Sequence, residues 1–277
     1  MTKFLLRNFI PFAVCFFCMA LFAKAQDVVQ ISDTAKQQIF RYNKIDYFED
    51  THNSLDINQV KSPGFAEKFK VNKEATPVAG NPNSTWWYRI RIGANLQSKN
   101  NWILEFFDQT IDSITVYAPD RQNHYSATFL GSSRPFTARL YQHKNFSLNI
   151  SNNFNGTAVY YVRIKSHQPV NVIIVLRSIN WFISYALDEY FFFGVFYGMI
   201  LVFGLYNLMM FIAMRQKQYL YYIAYNLSIG LYEMCADGIA YQYIWPASPI
   251  WNHNAYGVAL FSASIFSVLS NHWLGAR

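Results

Sequence analysis

Two tryptophans and two arginines share one short run, Trp86-Trp87-Tyr88-Arg89-Ile90-Arg91-Ile92. Those residue types can recognise a sugar or an acid: indole rings stack on flat apolar faces, and guanidinium groups bind carboxylates bidentately. In an extended strand successive side chains alternate between faces. Trp87, Arg89 and Arg91 then share one face, and Trp86, Tyr88, Ile90 and Ile92 share the other. A face repeating arginine at period two is expected to be wet. Trp87, Arg89 and Arg91 are therefore the expected ligand-facing group. Trp86, Trp102, Tyr117 and Tyr125 are further aromatic candidates.

Other chemistries find less support. His52, His124, His143 and His167 are scattered, and no close His/Asp/Glu group has metal-ligand spacing, so no metal site is expected. Asp46, Glu49, Asp50 and Asp56 lack the tight alternation of a calcium loop and read as a solvated loop. There is no Gly-x-Ser-x-Gly elbow and no glycine-rich phosphate loop. Glu49/Asp50 and Glu105/Asp108 are acid pairs of a kind any β domain offers by chance. The expectation is a protein that is not an enzyme and needs no cofactor. Glu233 is the one acidic residue within an apolar segment, a position that is costly unless functional or close to water.

The elements that must position these residues follow from periodicity. From Trp86 to Leu176 the pattern has period two. Strands are expected at 86–92, 101–107, 112–118, 124–130, 145–150, 158–165 and 170–176, separated by turn clusters such as Pro119-Asp120 and Gly131-Ser132-Ser133. Thr34 to Phe69 is less regular, with one or two strands and a helical turn. Short strands at such spacing predict an antiparallel β-sandwich.

The ends of the chain set the compartment. Lys3 and Arg7, an apolar run from Phe9 to Phe22, and Ala23-Lys24-Ala25 form an export signal over residues 1–25. Residues 26–186 are then a periplasmic sensor domain. Only Cys235 survives cleavage, so that domain holds together without disulfides, and its size suffices for a core. Tyr190 to Met214 carries no charge and is long enough to span a bilayer, which takes roughly 20 residues. Apolar segments follow at 218–236 and about 255–274, so 187–277 reads as three transmembrane helices, with Ser178 to Glu189 as a short joint. Gly194 and Gly198 make a Gly-xxx-Gly face. Arg215 and Lys217 flank the first turn and Asp237 the second, which puts the first turn and the C-terminus in the cytoplasm. The expected location is a bacterial inner membrane. The net charge of +7 is spread along the chain, which argues against nucleic acid as a partner.

Three stretches together resemble one bacterial family, the seven-transmembrane receptors with diverse intracellular signalling modules. Tyr47-Phe48-Glu49-Asp50, Leu55 to Val60 and Phe65 are similar to the opening of its type 2 extracellular domain. Trp87 to Ile90, Asp112 to Tyr117, and Gly131, Pro135, Arg139 and Phe146 continue the likeness. Gly194 to Gly198, Tyr206-Asn207, Tyr219 to Tyr222, Asp237-Gly238 and Trp245-Pro246 resemble the first two membrane helices and the first outer loop. The resemblance implies an all-β, jelly-roll-like antiparallel sandwich, similar to carbohydrate-binding modules, followed by transmembrane α-helices and serving a sensory role.

That family has seven helices and a cytoplasmic output module, whereas this sequence stops after its third hydrophobic segment. A fragment of a longer receptor is expected, with a chain that works beside a signalling partner or as a homo-oligomer as the other reading. The expected function is signal transduction: the sandwich binds a small-molecule or carbohydrate ligand and relays to the membrane helices, which contact lipid. The alternative is a membrane-anchored envelope adhesion or polymer-binding protein without signalling.

Overall fold

A computed structural model describes residues 27–94, 100–120, 122, 124–150 and 156–275, with side chains as far as residue 270. The signal-peptide reading lies outside these residues. The chain forms β1 (Val29–Gln30), β2 (Gln37–Ile39), β3 (Ile45–Asp50), α1 (Ile57–Val60), α2 (Pro63–Ala66), β4 (Lys70–Val71), β5 (Val78–Ala79), β6 (Thr85–Ala94), β7 (Trp102–Phe106) and β8 (Ser113–Pro119). It continues with β9 (Tyr125–Leu130), β10 (Phe146–Ile150), β11 (Gly156–Lys165), β12 (Val170–Asn171), β13 (Ile174–Ser178), α3 (Ile179–Met214), α4 (Gln218–Ala236), α5 (Ile239–Tyr243) and α6 (Pro249–Gly275).

Two sheets make the sandwich. The larger runs β4-β3-β6-β11-β8-β9, with β1 pairing parallel to the end of β6; the smaller runs β10-β7-β13-β2. All other pairs are antiparallel, and β8–β9 is a hairpin, whereas β6–β11, β3–β6, β7–β10 and β2–β13 pair strands distant in sequence. The inner faces interdigitate: Tyr88, Ile90 and Ile92 from β6 pack with Leu104, Phe106 and Leu176 from the smaller sheet. The period-two reading of β6 therefore located the main core correctly.

The opposite face of β6 departs from expectation. It is covered, not wet. Trp87 is 0% exposed and packs with Val60, Phe65, Phe69 and Tyr161 in a second core. The cover is α1 and α2, which have four residues each and cannot persist alone. Asp56 and Gln59 cap α1 reciprocally in a capping box, Pro63 starts α2, and burial of Val60 and Phe65 holds both down. Arg89 tolerates the cover because it is paired: its Nε and Nη2 donate to Asp46 Oδ2 at 3.0 and 2.6 Å, and Nη1 donates to Ala66 O at 3.2 Å. Trp87 and Arg89 are thus core and ion pair; Arg91 alone of the three stays half-buried.

The acidic group also resolves into separate roles. Asp46 holds Arg89, Glu49 accepts from Asn81 and Ser84, Asp50 accepts from the Leu55 amide, and Asp56 caps α1.

Among the described residues one helix, α3, is long and apolar enough to cross a membrane by length and composition. At 1.5 Å per residue its 36 residues reach about 54 Å. Leu187, Phe192, Val202, Phe203, Met209 and Ile212 on it are all exposed, as lipid contact requires. It ends on Arg215 at φ 56°, whose amide donates to Phe211 O at 2.7 Å. α4 then returns between α3 and α6. Gly230 meets Ile200 at 3.1 Å from its ideal Cβ position, and Asn226 donates to Ile200 O at 2.9 Å. Among the described residues, nothing beyond their own helix backbone comes within 4 Å of the ideal Cβ positions of Gly194 and Gly198.

Candidate functional site: an aromatic cleft and a relay junction

Trp87 and Arg89, two of the three residues expected to face a ligand, are buried, and Arg91 is half-buried; their neighbours on β6 line a cleft. Tyr47 of β3, Lys70 and Val71 of β4, and Trp86 and Tyr88 of β6 surround a space of about 550 Å³ at the edge of the larger sheet, together with Asn72, Lys73 and Glu74. The register explains the grouping: Tyr47 stands opposite both Lys70 and Tyr88. The Tyr47 and Trp86 rings lie 6.1 Å apart, tilted by 35°, and both are half-buried. Trp86 Nε1 donates to Asn81 O at 3.3 Å, which fixes its ring. The Tyr88 hydroxyl has no hydrogen-bond partner among the described residues, and burial pushes its pKa far up, so it stays protonated. The cleft thus offers aromatic surface, the lysines Lys70 and Lys73, the carboxylate of Glu74 and the hydroxyls of Tyr47 and Tyr88.

The sandwich joins the helices without a linker. β13 ends at Ser178 and α3 begins at Ile179, so the expected joint at Ser178 to Glu189 is the last strand residue followed directly by helix. Tyr185 and Glu189 of this helix base face the sandwich, whereas Asn180, Ser184 and Asp188 are exposed. Glu105 of β7, 0% exposed, is the hub. It accepts from Arg177 Nε of β13 at 2.6 Å, from Tyr185 Oη of α3 at 2.5 Å, and from Asn145 Nδ2 at 2.9 Å. Arg177 also stacks over Tyr185, 4.4 Å from its centroid. Nearby, Glu189 of α3 lies 2.9 Å from Lys144 Nζ and 3.4 Å from His143 Nε2. Glu105, read as one of a chance acid pair, is therefore a buried anion tying two strands, a loop and a helix together.

A second contact runs through the loop between β9 and β10. Phe136 N donates to Pro246 O at 2.8 Å, Tyr241 Oη donates to Arg134 O at 2.6 Å, and Gln242 donates to Gln142 O at 3.0 Å. Arg139 fills the loop: its guanidinium lies 4.1 Å from the Phe136 ring centre and 4.4 Å from that of Phe146. Burial pulls its pKa down to about 10, still charged at neutral pH. Gly131 has φ 131°, and a Cβ there would fall 2.2 Å from Asp112 O, so glycine is required. Gly238, φ 76°, likewise lets Gln109 reach Ala236 O at the end of α4. Arg139 and its loop, from one stretch of the family resemblance, thus meet Gly238, Tyr241 and Pro246, from or beside the other, across one interface through Arg139–Tyr241, Phe136–Pro246 and Gln109–Gly238 contacts. Their shared role was not visible in either stretch alone. Glu233 lies half-buried near the sandwich end of α4, one turn before Asp237, whose carboxylate accepts from Tyr197 Oη at 2.8 Å.

Comparison with known proteins agrees with this division. No curated protein matches the chain. One solved structure, the enzymatically active domain of tailspike protein 4 of bacteriophage CBA120, aligns at 9% identity over 51% of this chain and 18% of its own, with a TM-score of 0.22, which carries no argument. Residues 42–178, the sandwich, match the family described as 7TMR-DISM extracellular 2. Residues 189–276, from the base of α3 onward, match the one described as 7TM diverse intracellular signalling. With its sandwich and its helices both matched in order, the chain belongs to the seven-transmembrane receptors with diverse intracellular signalling modules.

Proposed function

We propose that this membrane receptor-like sensory protein reads a ligand in the cleft between β3, β4 and β6 and relays its binding to the helices through β13 and α3. The observation that carries the reading is the strand that becomes a helix: Ser178 and Ile179 are adjacent, and Glu105 locks both sides of the junction. A tilt of the smaller sheet must then move α3. An adhesion needs only an anchor and has no use for such a joint. The ligand class that suits the cleft has a flat apolar face for Trp86 and Tyr47 and polar groups for Lys70 and the Tyr88 hydroxyl; a sugar meets this description. The sandwich lies on the periplasmic side of an inner membrane, α4 and α6 accompany α3 through the bilayer, and the chain itself performs no catalysis. Output passes to further signalling elements or to a partner.

A relay requires that the ligand favour one of two arrangements, since tight binding alone shifts nothing. The test uses the full chain in lipid nanodiscs, screened against a glycan array and then followed by hydrogen exchange. Binding should be lost in Trp86→Ala and should change exchange in residues 179–189. A bound glycan that leaves 179–189 and the loop at 237–246 unchanged would favour the anchor reading.

A further inference from the structure

Three ligating side chains far apart in sequence converge beside the relay contact. Asp112 precedes β8, His167 follows β11, and His253 lies in the first turns of α6. Each offers a ligand atom, and these atoms all lie within 4.8 Å of one another. Asp112 Oδ2 accepts from the His167 amide at 2.7 Å and sits 2.6 Å from His167 Nδ1. The His167 and His253 ring centres are 4.0 Å apart. The cluster lines a cleft of about 330 Å³ together with Ser132, Ser133 and Asn254.

The scaffold behind it is firm on the sandwich side. Ser132 N donates to Ile111 O at 2.9 Å and Ser133 N to Asp112 O at 3.1 Å, so the Gly131 turn grips the backbone on both sides of Asp112. His167 is oriented by its own amide on the same carboxylate. His253 comes from a different element, on the membrane portion of the chain. Both histidines are exposed and Asp112 is half-buried, so the site is open to solutes and the rings can turn.

The donor set selects the ion. Two imidazole nitrogens and one carboxylate oxygen suit zinc and its first-row neighbours, whereas calcium and magnesium prefer all-oxygen shells. Bonds of about 2.0–2.2 Å place tetrahedral ligand atoms roughly 3.3 Å apart. The present separations, all within 4.8 Å, must close to that value on binding. We infer that Asp112, His167 and His253 form a zinc-class divalent cation site that clamps the β8 and β11 ends of the sandwich to α6. Three protein ligands leave a fourth position for water or a further donor. The site is separate from the aromatic cleft and does not depend on a glycan ligand.

The test is zinc titration of the full chain, purified in detergent without a polyhistidine tag, stripped with chelator, and followed by calorimetry and by metal content after dialysis. Wild type should bind one zinc per chain. His253→Ala and His167→Gln should each weaken binding by more than about 100-fold, since loss of a ligand exceeds the 10–100-fold typical of residues that merely orient ligands. His124→Ala, distant from the cluster, should bind as wild type. His253 is exposed, so the melting curves of His253→Ala and wild type should coincide without zinc and separate with it. Wild-type binding no tighter than that of His253→Ala would overturn the clamp. So would loss of binding in His124→Ala equal to that in His253→Ala.

Discussion

Neighbouring tryptophans on β6 have opposite roles, and their surroundings decide which is which. Trp87 is fully enclosed and stacks on Tyr117, with ring centres 5.7 Å apart and an interplanar angle of 17°. Trp86 is half-buried at the cleft. Trp87→Ala should therefore lower stability by about 3–5 kcal/mol, the usual cost of emptying a buried aromatic site. The measurement is the opening free energy of the β6 amides by native-state hydrogen exchange in the full chain. A change below about 1 kcal/mol would mean that the cover lifts readily and Trp87 is not core. Sequence alternation separated the two faces of β6 without error, because side-chain direction in a strand is a local property. It could not say which face was covered. The partner that neutralises Arg89 is Asp46, 43 residues earlier, and the cover is a segment that shows no strand or long-helix periodicity.

At the level of elements, the junction of β13 and α3 sets what the sandwich can transmit. A residue added to a helix turns everything beyond it by about 100°. Inserting Gly-Gly between Ser178 and Ile179 should therefore either break the first turn or rotate Tyr185 away from Glu105 by about 200°. Glu105 would lose a donor while remaining buried beside Arg177. The expected outcome is faster amide exchange across 180–189 with β6 protection unchanged. Equal protection in the insertion variant would show that α3 is held by its other contacts, such as Glu189 with Lys144, and that the strand is not the relay. The strands from β6 to β11 were legible in the sequence because each alternates between turns. The base of α3 was read as a joint because Asn180, Ser184, Asp188 and Glu189 interrupt its apolar run. Those residues sit where the helix passes the sandwich and water, before it becomes apolar on all sides. A change of environment along one helix looks like a boundary between elements.

For the molecule as a whole, the contacts constrain the topology. α3 starts at the sandwich and its far end carries Arg215, followed by Gln216 and Lys217. α4 returns, and its end meets the sandwich through Gln109 and Ala236, while the loop after α5 meets it through Pro246 and Phe136. The sandwich and residues 237–248 must then share one side, and 215–217 must lie on the other if α3 and α4 both cross. Charge gives the same division independently, because Arg215 and Lys217 favour the cytoplasm and Asp237 does not oppose export. The apolar run of α3 was legible from composition alone. The convergence of Asp112, His167 and His253 was not, since proximity made by two domains folding against each other leaves no spacing in the chain. A reporter active only in the periplasm should therefore be active when fused after Ala247 and silent when fused at Gln216. Activity at Gln216 with silence at Ala247 would invert the orientation while leaving the fold intact. Activity at both would mean that α3 and α4 do not cross, so that the helices lie on the membrane, and the relay through β13 would then end at its surface.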